Sequence, residues 1–183
     1  RARIAERGLG HVLRASTLHD PSLLRTYAAV NPTALQLCTL VAHWARRRKL
    51  TDATHPAQLS TYAWVVLAMQ FMQTAQPPAL PTLQDPSLLE GVRRTSIMRC
   101  DFAFFDCTFC ADLGVARQQW VARVQRSVAA TNGTSGGGRT DQHSIGELLR
   151  KFFGRYASDA VYGPGWPVAS IRAGTSLPRE GML

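Results

Sequence analysis

The sequence has few acidic residues, no internal repeat and no apolar run of the roughly 18 residues that a membrane-spanning helix requires. We therefore expect no membrane-embedded part, and no signal peptide with a charged end, an apolar middle and small residues is recognisable. Charged residues make up only 18% of the 183 residues, but 21 Lys and Arg against 12 Asp and Glu give a formal net charge of +9. This imbalance favours a polyanionic partner, most simply nucleic acid, although a basic protein at a membrane surface would have the same balance.

Cysteine is also scarce. Cys38, Cys100, Cys107 and Cys110 are too few and too unevenly spaced for the disulfide framework of a secreted protein. Cys107 and Cys110 form a CxxC pair, but a zinc site needs two further ligands, which only distant His residues or the other two cysteines could supply. We expect reduced thiols in a half-buried loop and no metal site.

The helix signals at the start of the chain predict a mainly α fold. Asp20 before Pro21, and Asn31 before Pro32, each place a capping side chain directly before a proline at the first helical position. The apolar spacing after Asn31 and the strongly apolar segment 58–75 predict two central helices. The helix after Asn31 is apolar nearly all round, which is typical of a buried helix.

Fewer signals mark the second half of the chain. An amphipathic helix is expected at 114–130, and another after Ser144, which stands three residues before Glu147 as in a capping box. The aromatic segment 100–110 is either a short strand or a packed loop, and 166–172 is a strand candidate. The fold class is therefore mainly α with one or two short strands.

Several stretches then match, in order, a family pattern. The chain resembles the central domain of noncanonical poly(A) polymerases and terminal uridylyltransferases, the poly(A)-polymerase-associated domain. The stretches that carry this resemblance are LHDPSLLRTYA (18–28), VAHWARRRKL (41–50), LSTYAWVVLAMQFMQ (59–73), PPALPTLQ (77–84), CDFAFFD (100–106), SIGELLRKFFGRYA (144–157) and WPVASIRAG (166–174).

The resemblance implies a domain organisation. Residues 18–174 would form the helical central domain of a DNA polymerase beta-like nucleotidyltransferase, with a flexible loop at about 131–142. Residues 1–17 would be the remnant or divergent end of the catalytic domain, and 175–183 a loose tail.

The resemblance also implies a nucleotide site. Arg46 stands where the family has a triphosphate-binding cation, Thr61 where a serine bonds a phosphate oxygen, and Tyr62 where a tyrosine stacks on the base. Asp20 stands at the ribose-contacting asparagine. A guanidinium can grip phosphate with two hydrogen bonds, and an aromatic ring stacks on any base. The alternatives are a helix-end cation for Arg46 and a core tyrosine for Tyr62.

The three cations after Arg46 are interpreted differently. Arg47, Arg48 and Lys49 are expected to form a solvated or RNA-facing surface rather than to bind the triphosphate. Cations in the last turn of a helix also offset its partial negative charge, so part of this block has a purely structural explanation.

The sequence differs from the family pattern at positions that would surround the nucleotide. Ala42 replaces the first triphosphate lysine, Asp20 replaces an asparagine, and Ala63 replaces a glycine. In these enzymes three carboxylates on a preceding domain hold two Mg²⁺ ions, and that domain would lie before residue 1. The third aspartate would be expected shortly before residue 18, but residues 9–17 contain no acidic residue. We therefore assign no catalytic residue and no metal ligand here. Mg²⁺ and UTP (or ATP) are expected only if other carboxylates complete the enzyme.

Three functions remain open. The chain is the substrate-binding part of an RNA terminal uridylyltransferase or a related adenylyltransferase, or it is an inactive homologue that binds RNA and protein subunits in a ribonucleoprotein. A plain helical interaction domain is the third. The basic, Ala- and Arg-rich, acid-poor composition, together with the mitochondrial members of the family that the chain resembles, favours a mitochondrial particle, such as a ribosome assembly or RNA-processing complex. Otherwise we expect an intracellular, non-secreted location.

Overall fold

The computed structural model describes residues 22–52, 58–90, 97–98, 101–102, 105–106, 108–130, 144–157 and 168–177. The helices are α1 (22–30), α2 (Pro32–Arg47), α3 (Thr61–Thr74), α4 (Pro86–Glu90), α5 (Leu113–Ala130) and α6 (Ile145–Tyr156). The strands are β1 (Ile97–Met98), β2 (Asp101–Phe102), β3 (Phe105–Asp106), β4 (Phe109–Cys110), β5 (Val168–Ser170) and β6 (Thr175–Leu177). The mainly α class is confirmed.

Helices α2 and α3 form a hairpin at the centre of the fold. Asn31 caps α2, since its Oδ1 accepts from the Thr33 N–H at 3.0 Å. Its Nδ2 donates to the Ala79 carbonyl at 2.9 Å, just beyond the end of α3. At the other end, the Trp64 Nε1 donates to the Leu50 carbonyl at 3.2 Å. The start of one helix therefore lies at the end of the other.

The core collects apolar side chains from all the long helices and from the chain after α3. Its largest buried members include Tyr27, Leu37, Val41, Met72, Leu80, Leu83, Phe109, Leu148 and Phe152. Aromatic contacts join α3 to α6, where the Phe71 and Phe152 rings meet edge to face at 5.6 Å. The core thus holds α6 against the hairpin.

One buried amide ties three segments together. Gln73 Nε2 lies 2.9 Å from the Tyr27 hydroxyl, 3.1 Å from the Pro81 carbonyl and 3.0 Å from the Ile171 carbonyl. The Leu83 N–H donates to the same hydroxyl at 3.2 Å, and burial raises the pKa of Tyr27 well above its usual range. Gln73 therefore connects α1, the chain after α3 and the last hairpin.

The strands are more numerous than the one or two expected. They pair antiparallel as β1 with β4, β2 with β3, and β5 with β6. Residues 175–177, expected to be a loose tail, form β6, and the Gln70 Nε2 donates to Ser176 Oγ at 3.2 Å. The expected tail boundary is wrong by one strand because hydrogen bonds to β5 and α3 order these residues.

Two further expectations need correction. Helix α2 is not buried all round, because Leu35 and Leu40 are 57% and 42% exposed. Cys110 is buried rather than half-buried, and burial raises its pKa. Residues 1–17, the loop at 131–142 and Cys107 lie outside the described residues.

Candidate functional site

The sequence-predicted site residues that the structure describes lie at one end of the α2–α3 hairpin, here called the hairpin tip. It comprises residues 45–50, where α2 ends, and residues 60–64, where α3 begins. The Trp44 and Trp64 rings meet edge to face with centroids 5.6 Å apart, and Phe153 of α6 packs on Trp44 at 4.6 Å. These contacts fix the end of α2 against the start of α3.

The cation block itself forms the C-terminal cap of α2. The Leu50 N–H donates to the Ala45 carbonyl at 2.9 Å, and the Lys49 N–H donates to the Arg46 carbonyl at 3.0 Å. This pair of bonds is the Schellman arrangement, in which the residue after the cap takes the left-handed conformation. Lys49 does so with φ of 57°. The chain therefore reverses within the block.

The four cations are open to solvent. Arg46, Arg47, Arg48 and Lys49 are all exposed, and none forms an ion pair within the described ranges. A guanidinium or ammonium without a carboxylate partner is available to a phosphate. The tip therefore presents concentrated positive charge.

The start of α3 adds backbone donors to this charge. Ser60 caps the helix, its Oγ accepting from the Ala63 N–H at 3.2 Å, and the first turn contains no acidic residue. The first N–H groups of a helix and its positive end together favour anions. Thr61, half-buried, and Tyr62 are the first two residues of this helix.

Tyr62 is not a core tyrosine. Its side chain is 44% exposed, so the ring is accessible to a flat partner. The alternative of a buried structural tyrosine is excluded, whereas its stacking role stays a prediction.

The structure brings only part of the predicted set together. Arg46, Thr61 and Tyr62 share the hairpin tip, while Asp20 lies outside the described residues. Ala42 is 6% exposed and is one of the buried residues of α2.

Sequence reasoning missed the supports of the tip. Trp44 and Trp64 both belong to stretches that carry the family resemblance, but nothing in the spacing showed that their rings meet. The left-handed Lys49 was also missed, because the usual signal for that conformation is a glycine.

No metal centre is formed by the part of the chain that the structure describes. No three His, Cys, Asp or Glu side chains there lie close enough together to hold an ion. These residues therefore do not supply the set of carboxylates that two Mg²⁺ ions need.

None of the described helices combines the length and the apolar content needed to cross a membrane.

Comparisons with known proteins cover parts of larger chains. The chain is similar to Poly(A) RNA polymerase cid13 of Schizosaccharomyces pombe, 34% identical over 93 residues, which are 50% of this chain and 15% of that protein. It is also similar to Terminal uridylyltransferase 4 of Homo sapiens, 34% identical over 67 residues, which are 37% of this chain and 4% of that protein. The chain thus spans a small part of these relatives. No protein-family model matches it.

A solved structure matches the fold. A crystal structure of mtPAP in complex with UTP has a TM-score of 0.60 and 20% sequence identity, and the match covers 86% of this chain and 28% of that one. At that identity the likeness concerns the fold alone. This fold match and the sequence relatives together confirm the resemblance to the noncanonical poly(A) polymerases and terminal uridylyltransferases.

Proposed function

We propose that this chain, a homologue of the noncanonical poly(A) RNA polymerases and terminal uridylyltransferases, is the substrate-binding helical domain of an RNA terminal nucleotidyltransferase. One observation carries the proposal: an exposed tyrosine lies in the first turn of a helix, at the same end of the hairpin as four exposed cations. These are the groups that a nucleoside triphosphate requires, since one end of it is flat and aromatic and the other is anionic.

Each part of the tip has a task in this proposal. Arg46 holds the triphosphate, the Thr61 hydroxyl bonds a phosphate oxygen, and the Tyr62 ring stacks on the base. The N–H groups of the first turn of α3 add to the attraction for the phosphates. Arg47, Arg48 and Lys49 guide the RNA strand through its phosphates, a contribution that weakens with salt.

The described residues supply binding and orientation but not the transfer chemistry. No cluster of three or more His, Cys, Asp or Glu side chains that could hold a metal ion is found among them. In this proposal the carboxylates, and the Mg²⁺ ions that would neutralise the departing pyrophosphate, belong to another domain or chain.

Nucleotide binding by the hairpin tip is testable directly. We expect UTP or ATP to bind the chain, and Tyr62→Ala to weaken this binding about 5- to 150-fold, since a stacked base is worth about 1–3 kcal/mol. Tyr62→Phe keeps the ring and is the matched control. Calorimetry or fluorescence titration measures both. If no nucleotide binds, or if alanine and phenylalanine behave alike, the nucleotide site is wrong.

Ala42 supports a second candidate function, an inactive RNA-binding subunit. The family lysine that meets the triphosphate would stand here, but the position is 6% exposed and carries a methyl group. In this alternative the cations of the tip bind RNA only, and the chain serves a ribonucleoprotein together with protein subunits, in the mitochondrion. Binding of RNA without UTP or ATP would favour this alternative, and nucleotide binding abolished by Tyr62→Ala would rule it out.

A further inference from the structure

A cleft of about 730 Å³ opens beside α5, away from the hairpin tip. Its walls are the inner side of α5, the chain segment 76–87 and the β5–β6 turn at Ala173. A volume of this size is typical of small-ligand sites. The side chains that carry the argument are Trp120, Arg123 and Arg126.

The walls of the cleft are fixed by polar contacts. The Trp120 Nε1 donates to the Pro78 carbonyl at 2.8 Å, and the Ser127 Oγ lies 2.6 Å from the Gln76 Oε1. The Arg123 Nη1 donates to Thr82 Oγ1 at 3.0 Å. The indole ring and the first guanidinium are therefore held in place before any ligand arrives.

The charge of the cleft is positive on balance, since two arginines and one carboxylate line it. Arg123 and Arg126 stand three residues apart, which puts them on one face of α5. Neither forms an ion pair with any residue that the structure describes. The carboxylate in the lining, Asp85, accepts through Oδ1 from the Ser87 N–H and hydroxyl at 2.9 and 2.7 Å.

Arg123 is partly buried whereas Arg126 is exposed, and a partly buried guanidinium normally has a carboxylate or another anion beside it. Helix α5 contains three arginines and no acidic residue, so its own sequence offers no such partner. The geometry therefore calls for an anion from outside, held by the Arg123 and Arg126 forks.

We propose that this cleft is a second RNA site, in which single-stranded RNA places a phosphate between Arg123 and Arg126 and a base against the Trp120 ring. An aromatic ring beside two guanidiniums fits a nucleotide unit, whose base stacks while its phosphate pairs. The choice of RNA over another polyanion rests on the proposed function.

The site is distinct from the hairpin tip. The cleft adjoins residue 76, just after the end of α3, whereas the tip lies at its start. The 14 residues of α3 span about 20 Å at 1.5 Å per residue. RNA bound at both places would extend along the length of this helix.

The test measures RNA affinity and its salt dependence for matched variants of the full chain. An oligouridine of about 15 nucleotides is titrated between about 50 and 200 mM salt. We expect Arg126→Gln to weaken binding about 5- to 10-fold and the double variant with Arg123→Gln to weaken it further, each lost contact lowering the salt slope by about 0.7. Arg150→Gln removes one exposed charge from α6, outside the cleft, and is the control.

The possible results separate this inference from the proposed function. If Arg126→Gln and Arg150→Gln weaken RNA binding equally, the cleft contributes only general charge and the inference is wrong. If Arg126→Gln lowers the affinity for UTP as much as that for RNA, the cleft takes a free nucleotide and the RNA assignment is overturned. Thermal melting checks that each variant is folded. The Arg126 variant is the safer one, because within the described ranges the Arg126 guanidinium donates only to the Ala122 carbonyl of its own helix.

The proposed nucleotide site does not depend on these outcomes. UTP binding that is lost in Tyr62→Ala but kept in Arg126→Gln supports the tip even if the cleft fails. RNA binding that is weakened by Arg126→Gln while no nucleotide binds supports the cleft even if the tip fails.

Discussion

Replacing Gly174 by alanine should destabilise the fold at the point where the last hairpin meets the chain after α3. Gly174 has a φ of +62°, and a Cβ at this position would lie 3.2 Å from Thr82 Cβ and 3.3 Å from its Cγ2. The same Cβ would overlap Thr82 Oγ1, which cannot turn away without losing its bond from Arg123. Both the backbone and the neighbouring side chain therefore oppose the substitution.

The expected size follows from these two causes. A non-glycine residue in the left-handed region costs about 1–2 kcal/mol, and overpacking a buried site adds about 1–3 kcal/mol. Thr82 is buried, so the second cost is not relieved by movement into solvent. We expect the free energy of unfolding to fall by about 2–5 kcal/mol in total.

Urea unfolding followed by circular dichroism measures the loss, and a second substitution separates its causes. Thr82→Ala removes Oγ1 and Cγ2 and leaves only the Cβ contact at 3.2 Å, so in the double variant the cost of Gly174→Ala should fall towards the backbone cost of about 1–2 kcal/mol. An unchanged midpoint for Gly174→Ala would refute the close approach. Equal losses with and without Thr82→Ala would refute the steric part alone.

Four other substitutions test the tip and the core. Lys49→Gly should raise the free energy of unfolding by about 0.5–1 kcal/mol, because glycine adopts φ of 57° without a Cβ penalty, whereas Arg48→Gly should lower it. Gln73→Ala should cost about 2–4 kcal/mol in urea unfolding, since the Pro81 and Ile171 carbonyls lose this donor and the Tyr27 hydroxyl is left with the Leu83 N–H. A cost below about 1 kcal/mol would contradict the network. Burial raises the pKa of Cys38 to about 12, so stability is retained below the pKa of the unfolded thiol and is lost as the pH rises through 12. In Cys38→Ala the free energy of unfolding should fall less steeply with rising pH, by up to about 1.4 kcal/mol per pH unit. If the pH dependence is unchanged, the Cys38 thiol does not cause the loss of stability.

The helix starts were predictable because they depend on neighbouring residues. Asn31 before Pro32 and Ser144 before Glu147 cap helices as expected, and both capping oxygens accept from the N–H groups that the patterns imply. The two central helices also follow their apolar spacing. Local chemistry determines these features, so a single sequence is enough to find them.

The short strands were not predictable in the same way. Strands of two or three residues carry too few side chains for a pattern, and β6 depends on pairing with β5 and on a bond from Gln70. The faces of α2 were also misjudged, because composition alone made a helix with Leu35 and Leu40 look buried all round. Which side of an apolar helix is covered depends on elements distant in the sequence.

The two candidate sites also differ in how far the sequence predicts them. The tip residues Arg46, Thr61 and Tyr62 could be named because they lie in stretches that resemble a known family. The sequence does not mark Arg123 and Arg126 as site residues, because their proposed role depends on residues 76–87 lining the same cleft. A site assembled from distant segments is visible only in the fold.

The cation block is larger than its structural task requires. The C-terminal end of a helix carries about half a unit of negative charge, which one cation offsets. The carbonyls of Ala45 and Arg46 are already satisfied by the Schellman bonds from Leu50 and Lys49. The other three positive charges have no ion-pair partner within the described ranges, and the adjoining start of α3 adds positive potential rather than reducing it. Excess charge at this end of the hairpin would repel itself in the absence of a ligand, which supports our proposal that a polyanion binds and neutralises it.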